Sequence, residues 1–283
     1  MRWVGAVLAT ALVLTGCQGG GTAAREADRY VALGDSFTSG AGLPLTRRDG
    51  FSCGQSSLSY PHLVARAIDA ELVDVSCGGA TTENGTKPQP LGSESWPPQL
   101  DAVTQDTDLV TVGLGGNDLA WYLAVMFGCT SAATADPTGN PCEREGTSSA
   151  SALTTLPPQI GARLEALLTQ VHRKAPTARV LLVGYPQPVP ADGTCPELPL
   201  ADGDYPFVRA QWEALDTAMR EAAASAGATY VEVLGASEGH DICAGSDAWV
   251  NGYGARAGVA ASYHPLTRGQ AAVAELVEEA LQQ

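Results

Sequence analysis

Residues 30–42 have the sequence YVALGDSFTSGAG, and the organisation of the whole chain follows from this stretch. The four apolar residues at 30–33 predict a buried strand that stops at Gly34-Asp35-Ser36. This order places the Ser36 hydroxyl at the carboxyl end of a sheet, where open α/β proteins bind ligands. Taken alone, a serine here is better explained as a solvated residue or a helix N-cap. A catalytic interpretation of Ser36 therefore requires a base and oxyanion-stabilising donors elsewhere in the chain.

Four further apolar runs predict strands, at residues 71–76, 108–114, 179–184 and 229–234. Segments with helical spacing of apolar residues lie between or after them, at residues 60–68, 160–171, 206–226 and 267–281. Strands that alternate with helices indicate an α/β fold, with a parallel sheet covered on both sides. Residues 128–158, rich in Ser, Thr, Ala and Pro, are predicted to form a long loop. Thr267 with Gln270 fits a capping box at the start of the last helix.

The N-terminus has the pattern of an export signal. Arg2 is its only charge, and the apolar stretch at residues 4–14 is too short for an ordinary membrane-spanning helix. Leu14-Thr15-Gly16-Cys17 resembles a bacterial lipobox, which predicts a lipoprotein-type signal peptide over residues 1–17 with lipidation at Cys17. A plain secretory signal with an incidental Cys17 is the alternative. Residues 18–28 are predicted to be a flexible tether, and residues 29–283 one domain.

Composition restricts the partners. The 283 residues are 45% hydrophobic and 17% charged, which is enough apolar material for a globular core. The formal net charge of −15 argues against nucleic acid and anionic lipid head groups. We expect an exported bacterial monomer, extracellular or anchored at the cell surface, that meets a membrane only through its possible N-terminal lipid.

Six cysteines remain when Cys17 is set aside, and an even number in an exported chain predicts disulfides. Six cysteines allow 15 pairings, so counting does not choose among them. A metal site is the competing interpretation. It is disfavoured because the chain has no C-x-x-C motif and its four histidines are scattered. We expect neither a metal nor another cofactor.

Three predicted strand ends carry residues suited to acyl transfer: Ser36, Gly79 and Asn117. Because the carboxyl ends of parallel strands share one edge of the sheet, these residues should converge, and His264 in the last loop could reach them. Acyl transfer needs this combination of a nucleophile, a base and donors aimed at the developing oxyanion. The alternatives are a tight turn for Gly79 and a loop cap for Asn117.

With these residues in place, the sequence resembles the GDSL, or SGNH, hydrolase family. The family's four blocks stand in order: Gly34-Asp35-Ser36, Gly79, Gly115-Gly116-Asn117-Asp118 and His264-Pro265. The resemblance covers residues 30–281 and implies a three-layer α/β/α fold around a flavodoxin-like, five-stranded parallel sheet. It also implies a lipase or esterase that works through an acyl-enzyme.

The resemblance further implies individual roles. Ser36 would be the nucleophile and His264 the general base, while Ser36 N–H, Gly79 N–H and the Asn117 amide would line the oxyanion hole. Within the family the chain is most similar to secreted actinobacterial lipases and esterases with three disulfides. Those enzymes imply the pairs Cys53–Cys77, Cys129–Cys142 and Cys195–Cys243.

The chain departs from the family pattern at one position. Many members have Asp three residues before the catalytic His, and here Ala261 occupies that place. We therefore predict a Ser–His dyad, in which a main-chain carbonyl of Ala261 or Ser262 accepts a hydrogen bond from His264 Nδ1.

The apolar residues 121–127 either form a wall for an acyl chain or pack into the core, since a short apolar run does not distinguish the two. A carbohydrate acetylesterase of the same fold, or a non-catalytic surface lipoprotein that binds lipid or glycan, is the alternative function. Dinucleotide binding is disfavoured because the glycines at 113, 115 and 116 lack the G-x-G-x-x-G spacing.

Overall fold

The first described segment of the chain enters the sheet directly. The computed structural model describes Met1 and residues 27–44, 53–145, 149–254 and 259–283. Ala27 is buried, and the N–H of Asp28 donates to the Asp108 carboxylate at 3.0 Å. The predicted signal peptide, the lipobox Cys17 and tether residues 18–26 lie outside the described residues. Within the described ranges, no helix combines the length and the hydropathy needed to cross a bilayer.

In chain order the described strands are β1 (Arg29–Gly34), β2 (Glu71–Asp74), β3 (Gln89–Leu91), β4 (Glu94–Trp96), β5 (Leu109–Gly113), β6 (Arg179–Val183) and β7 (Thr229–Val231). Five of them form the central parallel sheet, in the order β2-β1-β5-β6-β7. All five predicted strands are confirmed, as is the flavodoxin-like order. The pair β3 and β4 is a separate antiparallel hairpin. The sequence pattern does not predict it, because its strands are three residues long and one contains Pro90.

Strand β1 lies between β2 and β5 and contributes to both faces of the sheet. Val31 and Leu33 belong to one apolar cluster, whereas Tyr30 and Ala32 belong to the other. Side chains alternate between the two faces of a strand, so a strand covered on both faces is apolar throughout. Burial on both faces explains why residues 30–33 form a continuous apolar run.

Helices cover both faces and complete three layers. They are α1 (Ser36–Ser39), α2 (Tyr60–Ala67), α3 (Cys129–Ala132), α4 (Pro141–Glu145), α5 (Ser149–Lys174), α6 (Tyr205–Ala226) and α7 (Thr267–Leu281). Helices α5 and α6 pack together on the face of Val31, and α2 and α7 pack together on the face of Tyr30. The predicted α/β/α architecture is therefore confirmed.

The predicted loop over residues 128–158 is wrong in part, because α5 begins at Ser149 and contains Pro157 and Pro158. Leu153, Pro157 and Ile160 are buried at helical spacing. Packing of this face against the core outweighs the low helix propensity of proline.

The predicted capping box at Thr267 is also wrong. The N-cap of α7 is Leu266, which makes no side-chain cap hydrogen bond. Gln270 is instead buried, where Oε1 accepts from Tyr60 N–H and Nε2 donates to the Phe37 carbonyl, both at 2.7 Å. The free N–H at the start of α2 needs a buried acceptor, and Gln270 supplies it.

Three disulfides are present, Cys53–Cys77, Cys129–Cys142 and Cys195–Cys243, and they are the pairs that the family resemblance implies. Cys53–Cys77 joins the chain that follows α1 to the loop that follows β2. The same two segments share a hydrogen bond from Gly78 N–H to the Cys53 carbonyl, at 2.9 Å. This bridge fixes the loop that contains Gly79.

Candidate active site

Ser36 is the first residue of the single-turn helix α1, and one residue, Asp35, separates it from the end of β1. The N-cap of this helix is Asp35, whose carboxylate accepts from Phe37 N–H at 2.9 Å. Gly40 closes the turn in the left-handed conformation, with φ of 76°. Since Asp35 provides the cap, the Ser36 hydroxyl is available for another partner.

That partner is His264. Its Nε2 lies 2.7 Å from Ser36 Oγ, and its Nδ1 lies 2.7 Å from the carbonyl oxygen of Ser262. A carbonyl oxygen can only accept, so the hydrogen-bond pattern assigns the ring proton to Nδ1. Nε2 is then free to accept the Ser36 proton, which is the arrangement that a serine nucleophile requires.

The loop before His264 is held by unusual backbone geometry. Tyr263 has φ of 61°, and its hydroxyl shares a hydrogen bond with Thr130 Oγ1 at 3.0 Å. The Tyr122 hydroxyl donates to the Tyr263 carbonyl at 3.2 Å. A left-handed bulky residue is costly and persists only where its surroundings enforce it. The strained turn therefore aims His264 at Ser36.

Gly42 allows the loop before His264 to approach the segment that begins at Ser36. Its φ is 82°, and a Cβ atom placed on it would lie 2.3 Å from the backbone nitrogen of Ala261. That nitrogen donates to the Ala41 carbonyl at 2.9 Å. The backbone of Ala261 thus attaches the loop before His264 to the segment that follows Ser36.

Among the described residues, the only hydrogen-bond partner of His264 Nδ1 is the Ser262 carbonyl. Asp241 lies in the segment between β7 and α7 that also contains His264, and one oxygen of its carboxylate accepts from Cys243 N–H at 2.8 Å. The distance and the atoms thus match the predicted hydrogen bond between His264 Nδ1 and a main-chain carbonyl, with Ser262 as the partner.

Gly79 and Asn117 lie beside one another in the loops that follow β2 and β5. Asn117 Nδ2 donates to the Ala80 carbonyl at 3.1 Å, which leaves its second amide N–H free. The N–H groups on either side of Gly79 are occupied, because Gly78 donates to Cys53 and Ala80 to Cys77. Within the described part of the chain, neither Gly79 N–H nor Ser36 N–H has a partner. The two backbone N–H groups and the amide are donors available to a ligand.

Asp118 holds together the two loops that contain Gly79 and Asn117. Its buried carboxylate accepts from Thr82 N–H at 2.8 Å and from the Thr82 hydroxyl at 2.5 Å, and it pairs with Arg163 at 3.2 Å. These bonds join the loop after β5 to the loop after β2. The sequence does not single out Thr82 or Arg163, because neither lies near Asp118 in the chain.

Asp35 has a second partner that the sequence does not reveal. Its other carboxylate oxygen accepts from the Tyr185 hydroxyl at 2.7 Å. Burial raises the pKa of Asp35 to about 7, the hydrogen bonds from Tyr185 and Phe37 oppose that rise, and the charge of Asp118 adds to it. The only sequence signal for Tyr185 is its position just after the fourth predicted strand.

Aromatic rings surround His264, which is 8% exposed. The Phe37 and Tyr122 ring centroids lie 4.8 and 5.7 Å from the imidazole centroid. Burial lowers the pKa of His264, and the hydrogen bond to the Ser262 carbonyl opposes that shift in part. Burial therefore favours the neutral imidazole, which is the form that can accept a proton.

The other histidines are not brought to Ser36. His62 contacts Ser59 and Asp74, His172 lies on α5, and His240 stacks on Trp249 at 4.7 Å. Across the described residues, no group of three or more His, Cys, Asp or Glu side chains is placed to hold a metal ion.

Residues 121–127 divide between the two predicted alternatives. Trp121, Val125 and Met126 are fully buried, and Met126 Sδ accepts from Trp212 Nε1 at 3.4 Å. Phe127 instead lines an open groove of about 480 Å³. The other lining residues are uncharged: Thr130, Ser131, Ala133, Thr134, Pro137, Pro199, Leu200 and Tyr253. The segment is therefore core on one side and groove wall at Phe127.

Known proteins resemble this chain in sequence and in fold. The sequence profile described as the GDSL-like lipase/acylhydrolase family matches residues 32–272. "Lipase 2" of Streptomyces coelicolor is 42% identical over 221 residues, which cover 76% of this chain and 72% of that protein. "Esterase" of Streptomyces scabiei is 32% identical over 281 residues, covering 87% and 81%. The crystal structure of phospholipase A1 from Streptomyces albidoflavus superposes with a TM-score of 0.74 at 28% identity, covering 89% of this chain and 99% of that one.

The environment of His264 predicts an imidazole pKa below the ordinary 6.5, because burial disfavours the charged ring. An NMR titration of ¹⁵N-labelled protein should show the His264 midpoint below that value, with Nδ1 carrying the proton at neutral pH. A His264→Gln variant, which lacks the resonance, assigns it. A midpoint at or above 6.5 would contradict the inferred environment.

Proposed function

The chain belongs to the GDSL-like lipase/acylhydrolase family and is a carboxylic ester hydrolase, and we propose that it forms an acyl-enzyme on Ser36 with His264 as its base. One observation carries this proposal: Ser36 Oγ lies 2.7 Å from His264 Nε2, while Nδ1 lies 2.7 Å from the Ser262 carbonyl oxygen. Among the described contacts, no other histidine is hydrogen-bonded to Ser36.

The proposed reaction begins with proton transfer. His264 Nε2 takes the proton from Ser36 Oγ as the oxygen bonds to the ester carbonyl carbon, and the carbonyl oxygen gains the negative charge. When the tetrahedral intermediate collapses, the C–O bond to the alcohol breaks and Nε2–H protonates the leaving oxygen. Water then attacks the acyl-enzyme with the same base, and the released acid leaves Ser36 protonated again.

Three donors are proposed to stabilise the negative oxygen: Ser36 N–H, Gly79 N–H and the free amide N–H of Asn117. Their lack of competing partners supports this role, since a donor already occupied in the protein would have to break a bond first. Removal of one such donor typically costs about 10²–10³-fold in kcat. Because the proposed donors are a neutral amide and two backbone N–H groups, they would stabilise the negative oxygen without a buried positive charge.

We propose that the pair works as a dyad without a carboxylate. The Ser262 carbonyl accepts from Nδ1–H, fixes the tautomer and faces the positive ring after proton transfer with the negative end of its dipole. The packed rings of Phe37 and Tyr122 limit rotation of the imidazole. Orientation of the base, which a carboxylate often supplies, would here come from the backbone and from packing.

We propose a lipid or other acyl ester as the substrate, with the acyl chain reaching the groove at Phe127. The uncharged lining of this groove supports an apolar chain over an acetylated sugar. The Phe127 ring lies 6.0 Å from Tyr122 and 5.1 Å from Tyr263, the residues that pack against or precede His264. We also propose that the enzyme is exported and acts as a monomer. Three disulfides are typical of proteins that fold in an oxidising compartment.

A Ser36→Ala variant should lose ester hydrolysis and labelling by a fluorophosphonate probe, because both require the hydroxyl. Thermal unfolding and circular dichroism serve as the control for folding. The substrate panel should run from acetyl to long acyl esters and include phospholipid and acetylated xylan. Labelling that persists in the variant would refute the assignment of Ser36, and turnover confined to acetylated xylan would favour the carbohydrate esterase.

Removal of Asp241 or Asp247 should leave kcat within about threefold of the parent, because neither carboxylate is bonded to His264 among the described contacts. His264→Ala should lose about 10⁴-fold or more, as expected for loss of a catalytic base. The measurement is kcat on a soluble ester at neutral pH. An aspartate variant that stays folded and is as inactive as His264→Ala would sink the dyad.

Phe127→Ala should lower kcat/KM for long acyl esters relative to short ones by about tenfold, since burial of an apolar side chain contributes about 1.5–3 kcal/mol. Leu123→Ala is the matched control. It lies one turn earlier, is 61% exposed and is absent from the groove lining. The chain-length profile of the control should match the parent. An unchanged profile for Phe127→Ala would place the acyl chain elsewhere.

A further inference from the structure

We propose that Tyr185 is a positioning residue that holds two turns at the spacing required for oxyanion binding. These are the nucleophile turn, which contains Asp35 and Ser36, and the Asn117 turn, which contains Gly116 and Asn117. The inference rests on the proposed function, because it assigns Tyr185 a role only through Ser36 N–H and Asn117. No family block contains this residue, and it lies in neither turn.

One hydroxyl group joins the two turns. The Tyr185 oxygen donates its proton to Asp35 Oδ2 at 2.7 Å and accepts from Gly116 N–H at 3.0 Å. Asp35 precedes Ser36, and Gly116 precedes Asn117, so each bond acts one peptide away from a proposed oxyanion donor. A shift of either turn would stretch one of these two bonds.

The surroundings leave Tyr185 little freedom. The side chain is buried, and the Phe37 ring meets its ring edge-on with centroids 5.0 Å apart. A Cβ atom on Gly116 would lie 3.3 Å from the Tyr185 hydroxyl and from the ring carbon that bears it. The glycine therefore permits the close approach that the hydrogen bond to its N–H requires.

The other oxygen of Asp35 already accepts from Phe37 N–H, inside the turn that contains Ser36. The path from Gly116 N–H through Tyr185 and Asp35 to Phe37 N–H is thus a continuous chain of hydrogen bonds between the two turns. Such a chain would fix the direction of the Ser36 N–H relative to the Asn117 amide. Small errors in this geometry matter, because a misplacement of about 1 Å can cost about 10²-fold in rate.

Tyr185→Phe removes the hydroxyl and keeps the ring. We expect kcat on a soluble ester to fall about tenfold to a hundredfold with KM nearly unchanged. The affinity for a trifluoromethyl ketone, which forms a charged tetrahedral adduct with the serine, should weaken by the same factor. A residue that only stabilises the fold would lower the melting temperature and leave both quantities unchanged in the folded protein.

Tyr30→Phe is the matched control. Tyr30 is buried in the same sheet, and its hydroxyl bonds Thr111 Oγ1 on β5 at 2.8 Å, a partner that belongs to neither turn. It should lose stability but keep kcat and inhibitor affinity. Equal effects on kcat in the two variants would overturn the inference.

A double-mutant cycle with Asn117→Ala tests whether Tyr185 acts through the oxyanion donors. The Tyr185→Phe effect should shrink when Asn117 is already removed, because interacting residues are not additive. Fully multiplicative effects would refute the proposed path. If Ser36→Ala retained activity, the proposed function itself would fail. If Ser36→Ala were inactive and Tyr185→Phe fully active, only the role of Tyr185 would fail.

Discussion

The pairing of β1 with β5 is the constraint on which the rest of the site depends. Gly34 lies opposite Gly113 at the end of this pair, and Asp35 N–H continues the ladder to the Gly113 carbonyl at 3.0 Å. A Cβ atom on either glycine would lie within 2.2 Å of Thr38 Oγ1 in α1. Two adjacent glycines therefore let the helix that begins with Ser36 sit directly on the strand ends. Every other catalytic candidate is placed relative to that contact.

Buried aspartates provide a common structural device in this acidic chain. Asp35, Asp118 and Asp204 each accept hydrogen bonds from main-chain N–H groups of loops or helix starts. A buried carboxylate is tolerated when several donors satisfy its oxygens. The acidic side chains nearest the site thus hold the main chain in place. The polar groups proposed to carry out the chemistry are neutral: a hydroxyl, an imidazole, an amide and peptide N–H groups.

The sequence predicts those features of the fold and the site that depend on residues close together in the chain. Burial on both faces makes the sheet strands visible as apolar runs, and the chain direction of parallel strands then brings Ser36, Gly79 and Asn117 to one edge. Gln270 and Tyr185 could not be found this way, because their partners lie 210 and 150 residues away in the chain. The sequence does not predict the start of α5, because Pro157 and Pro158 disfavour a helix there. The contacts that stabilise this part of α5 are tertiary. The disulfide pairs follow only from the family resemblance, because counting leaves 15 pairings open.

The distance along the chain between Ser36 and His264, 228 residues, has a consequence for biosynthesis. Ser36 is synthesised 228 residues before His264, so the proposed nucleophile leaves the ribosome well before its proposed base. Gln270 then connects the last helix to the Phe37 carbonyl beside the serine, so docking of the C-terminal helix and assembly of the pair are linked. Contacts of such long range form slowly. A nascent chain that has not yet reached His264 therefore contains Ser36 without its proposed base, and the pair can form only after the segment that contains His264 has docked.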